Sequence, residues 1–360
     1  MNPDFNSEAR SVVTSESKLT GRSDHARVQI RDVARHAGVS IGTVSNVLNG
    51  RDSVAPELVE KVRNSVDSLG FVPNDNARNL KSSDNQTLGL LVLSTYNSFF
   101  NAFADEAEVE ADRHGRDLIL AASAQLPERE RKYLEMFERQ RVGGVLLAAV
   151  DGVTPAIAAL HSRGTPVILL GATNEDEFCS VSVDADEGGY LAARHLIEQG
   201  RRRLLCIGGP TRQVQDRLDG ANRAVAEVEG VTLDYLTTSD LTVREGQAAA
   251  DQILAMAASE RPDGIFALND LVAIGVVNQL SRMGRVAIPD DISVVGHDDI
   301  DFAAMAVVPL TTVRQPIEAL ASTAVRLALD EANEGVGHAH RHLQFTPELI
   351  VRESSTAPIR

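Results

Sequence analysis

The stretch Val28–Asn49, VQIRDVARHAGVSIGTVSNVLN, decides how the rest of the chain is read. Val33, Ala34 and Ala37 give its first half an apolar stripe at helical spacing. Gly38 can end that helix, because glycine takes a left-handed backbone without steric cost. Ser40 can then cap a second helix by accepting a backbone N–H. Val44, Val47 and Leu48 fall on the inner face of this second helix, and Ile41, Gly42, Thr43, Ser45, Asn46 and Asn49 on its outer face. Small and amide side chains on a short exposed helix suit the major groove of DNA, where asparagine can make two hydrogen bonds to adenine. A helical hairpin with a solvated outer face is the plainer alternative, and the residues that follow decide between the two.

Pro56–Gly70 has proline at a helix start, glycine at its end, and an apolar spine of Leu58, Val62, Val66 and Leu69. It can close a three-helix head. The phrases DVARHAGVS, TVSNVLNG, LGFVPN and ARNLKS then stand in one order between Val28 and Lys81. In that order and spacing the stretch resembles the DNA-binding head and hinge of the LacI-type bacterial transcription repressors, a family that includes the lactose and purine repressors. The resemblance implies that Ser40, Ile41, Gly42, Thr43, Ser45, Asn46 and Asn49 face a pseudo-palindromic operator. Asn46 would read a base, and Thr43, Ser45 and Asn49 would bond phosphates. It also implies a hinge helix over residues 76–81 that forms on DNA. There Leu80 would wedge into the minor groove, with Arg78 and Lys81 at flanking phosphates.

At 360 residues the chain is long enough for several domains. Its 43 % hydrophobic content marks a globular protein, and no apolar run approaches the ~20 residues of a membrane span. The first 27 residues lack the apolar core of a secretion signal, so a cytoplasmic protein is expected. The net charge of −16 is unevenly spread. Between Arg27 and Lys81 eight basic residues oppose six acidic ones, so the head carries +2 and the remainder −18. Such a head can engage phosphate with modest, salt-dependent attraction. Cys179 and Cys206 lie outside any metal-ligand spacing and are expected to be free buried thiols. No cofactor is called for. His338, His340 and His342 alternate in HAHRH and can share one strand face as a metal patch, but solvated loop histidines are the expectation, and no metal ligands are assigned.

From Leu88 onward, apolar runs of strand length alternate with helical patterns. Continuous apolar runs such as Leu88–Leu93 suit parallel strands covered on both faces. Two such series predict two doubly wound α/β lobes. A late helix over Pro316–Asn333 and a late strand over Leu343–Val351 complete the pattern. This arrangement resembles the two-lobed periplasmic-binding-protein-like core of the same family. The expected division is a tail over 1–27, a head over 28–73, a hinge and linker over 74–86, a core over 87–354 and a tail over 355–360. Within the core one lobe takes about 87–184 plus 316–342, and the other about 185–315 plus 343–354.

Ligands of such folds bind beyond the carboxyl ends of the strands. Phe99 and Phe100 follow the first strand in a loop where an aromatic ring can stack on a sugar or base. Arg217 stands where the family directs an arginine into the cleft, and its planar fork can hold two hydroxyls or a carboxylate. Asp298 matches the family's cleft aspartate and Asn269 a sugar-contacting amide; local helix capping is the alternative for both. Asp270 is expected to hold a helix start, and Asp151 lies one position from a family sugar-binding acid. Leu241 stands where relatives often carry an aromatic. Dinucleotide, nucleotide and nucleophile-elbow motifs are absent, so an enzyme is not expected. The reading is a homodimeric, effector-controlled repressor bound to double-stranded DNA, with a sugar or nucleoside effector and no membrane role. A global carbon-catabolite-type regulator, with a phosphorylated carrier protein as corepressor, is the alternative.

Overall fold

The computed structural model describes residues 28–48, 54–71, 86–171, 175–209, 212–284 and 286–356. Head and core are separate compact units. The head holds α1 (Ile30–Ala37), α2 (Ile41–Leu48) and α3 (Pro56–Leu69). Val33, Ala34, Val44 and Val62 are buried where the three helices meet. Gly38 and Gly70 end α1 and α3 at φ 67° and 60°, in the left-handed region where a side chain would be strained. A hydrogen bond of 3.0 Å between His36 Nδ1 and Ser65 Oγ ties α1 to α3.

The core is built from two sheets. The first contains β1 (Thr87–Val92), β2 (Asp117–Ala122), β3 (Gly144–Leu147), β4 (Val167–Leu170), β5 (Cys179–Val183) and β11 (His342–Phe345). Its order is β11-β5-β4-β3-β1-β2, with every pair parallel. The second contains β6 (Arg203–Gly208), β7 (Thr232–Thr237), β8 (Gly264–Ala267), β9 (Ser293–Asp298), β10 (Thr311–Arg314) and β12 (Glu348–Ile350). Its order is β12-β10-β9-β8-β6-β7, parallel except for β10 with β12.

Helices cover both faces of each sheet, which is why the central strands are continuous apolar runs. In the first lobe α4 (Ser98–Arg113) and α12 (Ile317–Glu334) bury one face, around Phe103, Leu90 and Val325. The opposite face is covered by α5 (Pro127–Gln140) and α6 (Pro155–Ser162), around Phe137 and Leu147. In the second lobe α7 (Ala185–Glu198) and α8 (Arg212–Ala226) pack around Leu196 and Phe266. On its other face α9 (Val243–Ala255) and α10 (Asp270–Met283) pack around Ile253 and Val276. A short α11 (Asp301–Met305) follows β9.

The chain passes between the lobes three times: after β5, between β10 and α12, and between β11 and β12. The first and third passages are joined where Asp184 N–H donates to the Phe345 carbonyl at 2.9 Å. The expected single strand Leu343–Val351 is therefore two strands. Residues 342–345 extend the first sheet and 348–350 edge the second, so 343–345 belongs with the first lobe, not the second. Pro347 separates them, since proline has no N–H to continue a ladder. Thr311–Arg314 is a strand that the sequence reading passed over. Its Thr-Thr-Val-Arg run is short and lies between Pro309 and Pro316. Helix α8 begins at Arg212, well before the expected Leu218, which places Arg217 inside a helix.

Candidate functional site

In the head, Thr43 N–H donates to Ser40 Oγ at 3.0 Å, so Ser40 caps α2 as its position suggests. Thr43 Oγ1 also lies 2.9 Å from Ser40 Oγ. Val44 is fully buried while Ile41 is 52 % exposed. Gly42 is exposed beside it, and Ser45 and Asn46 are half-buried. The helix thus presents Ile41 and Gly42 outward with Asn46 one turn on, a face that can lie against base edges. Asn49, Arg78, Leu80 and Lys81, the remaining expected DNA contacts, lie outside the described residues.

In the core, the mouths of both sheets form one cleft. Each sheet reverses its strand order next to its first strand, at β1 and at β6, and crevices open at such points. Phe99, Phe100, Arg217, Asn269 and Asp298 all line this cleft. Asp151 is not on its wall.

Arg217 is held from two directions. A Cβ on Gly189 would overlap the Arg217 carbonyl, and one on Gly220 would overlap the Asp186 carbonyl. The two glycines let α7 and α8 meet backbone to backbone, and this contact sets the guanidinium at the wall. There it is 8 % exposed. It donates to the Leu268 carbonyl at the end of β8, and its second terminal nitrogen is 3.8 Å from Asp298 Oδ1. Its buried Nε has no hydrogen-bond partner among the described residues. Burial works against the arginine charge; Asp298, Asp270 and Asp216 support it.

Asp298 ends β9 with φ 118°, a backbone that few side chains adopt. Its Oδ1 accepts from Gln315 Nε2 at 2.7 Å and lies 3.1 Å from His297 Nδ1. Burial opposes its charge, but the His297 contact, Arg217 and Gln315 outweigh burial and hold the carboxyl below its ordinary value. Burial and the Arg217 charge push His297 down to about 4, so near neutrality it is uncharged, with a proton on Nδ1 for Asp298. The turn after Asp298 is fixed by Asp270. That residue accepts from Ile300 N–H at 2.9 Å and from Thr312 Oγ1 at 2.6 Å. Asp270 is the first residue of α10, at the helix start its position suggests, but its carboxyl clamps the β9 loop to β10. Burial, with Asp298 nearby, raises it well above its ordinary value.

Asn269 lines the cleft, yet both ends of its amide are engaged within the lobe. Its oxygen caps α10 by accepting from Val272 N–H at 2.9 Å, and its nitrogen donates to the Leu241 carbonyl at 3.2 Å. The capping alternative describes it. Phe99 and Phe100 meet edge to face, with ring centroids 5.3 Å apart. Phe100 is buried, whereas Phe99 is half-buried and packs against the cores of both lobes.

Four cleft residues escaped the sequence reading. Tyr96 lines the cleft and is 61 % exposed, an aromatic at the mouth. Asn97 donates across the cleft to Asp298 Oδ2 at 3.5 Å, and Gln125 donates to Asp240 Oδ1 at 3.2 Å. These two bonds bridge the lobes. Gln315 sits on the second passage between lobes, and only the fold brings it to Asp298.

Comparison with known proteins agrees with this geometry. Residues 29–74 match the model for "Bacterial regulatory proteins, lacI family", and residues 193–355 match "Periplasmic binding protein-like domain". The HTH-type transcriptional repressor PurR of Vibrio campbellii is 34 % identical over 331 residues, spanning 90 % of this chain and 98 % of its own length. The chain belongs to the LacI family of bacterial regulatory proteins. Among solved members, a transcriptional regulator CelR–cellobiose complex is 29 % identical, with a TM-score of 0.65, covering 91 % of this chain and 100 % of its own. A LacI family regulator from Enterococcus faecium with bound ribose is 28 % identical, with a TM-score of 0.68, covering 76 % and 100 %. In the family's terms, the head is its helix-turn-helix domain and the cleft lies in its periplasmic-binding-like core. No helix among the described residues is long and apolar enough to cross a membrane.

Proposed function

We propose that the protein is a cytoplasmic, homodimeric repressor whose operator affinity is set by a small polyhydroxylated effector, a sugar or nucleoside, held between the core lobes. The observation that carries this reading is the buried Arg217–Asp298 pair on the cleft wall, 3.8 Å apart, with one guanidinium N–H left without a partner among the described residues. An arginine fork and a carboxylate side by side offer donors and acceptors to adjacent hydroxyls, and such charge-assisted bonds are stronger than neutral ones. Phe99, Phe100 and Tyr96 supply apolar faces that suit the C–H side of a sugar ring. Leu241 is aliphatic at the cleft edge, which favours a sugar over a base held between two rings. The cellobiose and ribose complexes of relatives support the same class.

The cross-cleft bonds of Asn97 and Gln125 favour the closed arrangement. An effector that also bridges the lobes would favour it further, and control arises from unequal affinity for open and closed states. For pairing with a second copy, α11 and its following loop expose Phe302, Met305 and Val307, at 57 %, 76 % and 66 %. Asn46 is proposed as the base-reading residue, with Ile41 against a thymine methyl.

A thermal-shift panel of sugars and nucleosides on the full chain tests the effector class. At least one hydroxylated compound should raise the melting temperature, and Arg217→Met should abolish that shift. Stabilisation by a phosphorylated carrier protein alone would move the chain to the alternative class.

A further inference from the structure

Outside the cleft, one side-chain cluster has no part in the function described so far. Cys179 at the start of β5, Glu331 near the end of α12, and His338 and His340 before β11 each aim a ligand atom at one point. These atoms all lie within 4.8 Å of one another. Cys179 Sγ is 3.1 Å from His338 Nε2 and 3.8 Å from His340 Nδ1. His340 Nδ1 is 3.9 Å from Glu331 Oε2. With metal–sulfur and metal–nitrogen bonds of about 2.3 and 2.0 Å, the ligand atoms of a tetrahedral zinc site stand about 3.3–3.6 Å apart. The three contacts of 3.1, 3.8 and 3.9 Å bracket that range, and no pair of ligand atoms exceeds 4.8 Å, so small side-chain shifts would close the set around an ion.

Three further observations point to a ligand. Glu331 is 6 % exposed, and its Oε2 has no hydrogen-bond partner among the described residues. A buried carboxylate oxygen without a partner is costly unless something binds it. Glu331 Oε1 is already taken by His161 Nε2 at 2.7 Å. His338 Nδ1 lies 2.8 Å from Glu334 Oε2, which fixes the ring so that Nε2 presents its lone pair to the sulfur. Carboxylates orient metal-bound histidines in this way. Arg341 N–H points at Cys179 Sγ from 3.4 Å, a donor suited to a thiolate. A thiol–imidazole hydrogen bond explains the Cys179–His338 contact, but not the unpartnered Glu331 oxygen or the placement of His340.

The sequence spacing hid this site. Cys179 lies outside any ligand spacing, and solvated loop histidines are the expectation for HAHRH; the fold instead buries the His338 ring and half-buries His340 against Cys179. His342 does not take part, since its Nδ1 lies 2.9 Å from Ser180 Oγ.

We propose that Cys179, Glu331, His338 and His340 form a closed tetrahedral site for a divalent transition metal, zinc by preference. One thiolate, one carboxylate and two neutral imidazoles balance the dication, and a mixed S, N and O set in tetrahedral array suits zinc. With four protein ligands it has no open position, so its role is structural. The metal fastens the lead-in of β11 to β5 and α12, at the edge of the first sheet, just before the chain makes its third passage between lobes.

The test uses the untagged full chain, stripped with a chelator and titrated with zinc chloride against a chromophoric competitor. One zinc per chain should bind with a dissociation constant below micromolar, and the loaded protein should melt higher. Cobalt loading should give the intense visible bands of a tetrahedral thiolate site. Cys179→Ser and His338→Ala should lose those bands, while Cys206→Ser and His342→Ala keep them. His340→Ala, which should lose the bands as well, removes a part-exposed ring, so it should fold even if the buried Cys179 and His338 variants do not. Absence of one-to-one binding at micromolar zinc would overturn the site. So would cobalt bands that are octahedral, or that survive in folded His340→Ala.

Discussion

Replacing Arg217 by methionine probes the cleft most sharply, because methionine keeps much of the apolar stem and removes only the charged fork. The Leu268 carbonyl would lose its donor, which costs about 1–3 kcal/mol for a buried acceptor. Asp298 would lose its charge partner. Breaking a buried pair by removing one member costs about 3–5 kcal/mol when nothing else satisfies the survivor. Here Gln315 at 2.7 Å and His297 at 3.1 Å remain, and the guanidinium stands at 3.8 Å, so the Asp298 share falls below that range. A total loss of about 3–4 kcal/mol follows. In the double variant Arg217→Met with Asp298→Leu, neither charge is stranded, so the loss should be less than the sum of the two single losses. The coupling should be about 2 kcal/mol, read by urea unfolding of all four proteins. Additivity within about 0.5 kcal/mol would refute the view that these two charges hold each other in the cleft.

Three other perturbations follow from the same geometry. Asn46→Ala should cost about 1–3 kcal/mol on the cognate site and relax one base pair per half-site; unchanged preference in a randomised-site selection would reject that role. Gly189→Ala drives a methyl into the Arg217 carbonyl, so it should push α7 from α8 and weaken effector binding at least tenfold while operator binding persists. Because the folded His297 titrates near 4 and the unfolded near 6.5, the unfolded chain takes up a proton first on acidification. Stability should therefore fall by up to about 1.4 kcal/mol per pH unit between those values, relative to a His297→Gln variant, in which this slope should be absent.

The sequence was most legible where local chemistry decides the structure. Gly38, Ser40 and Gly70 mark their helix ends by residue type, and apolar runs such as Leu88–Leu93 announce strands covered on both faces. Phe99 and Phe100 follow a strand end, Arg217 and Asp298 are singled out by the family resemblance, and all four line the cleft. What stayed hidden depends on contacts distant in sequence. Gln315 reaches Asp298 only because β10 lies beside β9, and Asn97 reaches it only across the two lobes. An asparagine after a strand serves equally as ligand contact and as cap, and Asn269 lines the cleft while its oxygen caps α10. β12 pairs with β10 in the second sheet while β11 edges the first, a division that residue pattern alone does not contain.

The central claim is that the cleft binds a hydroxylated effector which sets DNA affinity. It is tested most directly by fluorescence anisotropy on a genomic fragment bound by the full chain, with and without the hit from the thermal-shift panel. The account predicts that this compound shifts the wild-type dissociation constant at least fivefold in one direction, while Arg217→Met binds the fragment but ignores the compound. Equal shifts in wild type and variant would contradict it.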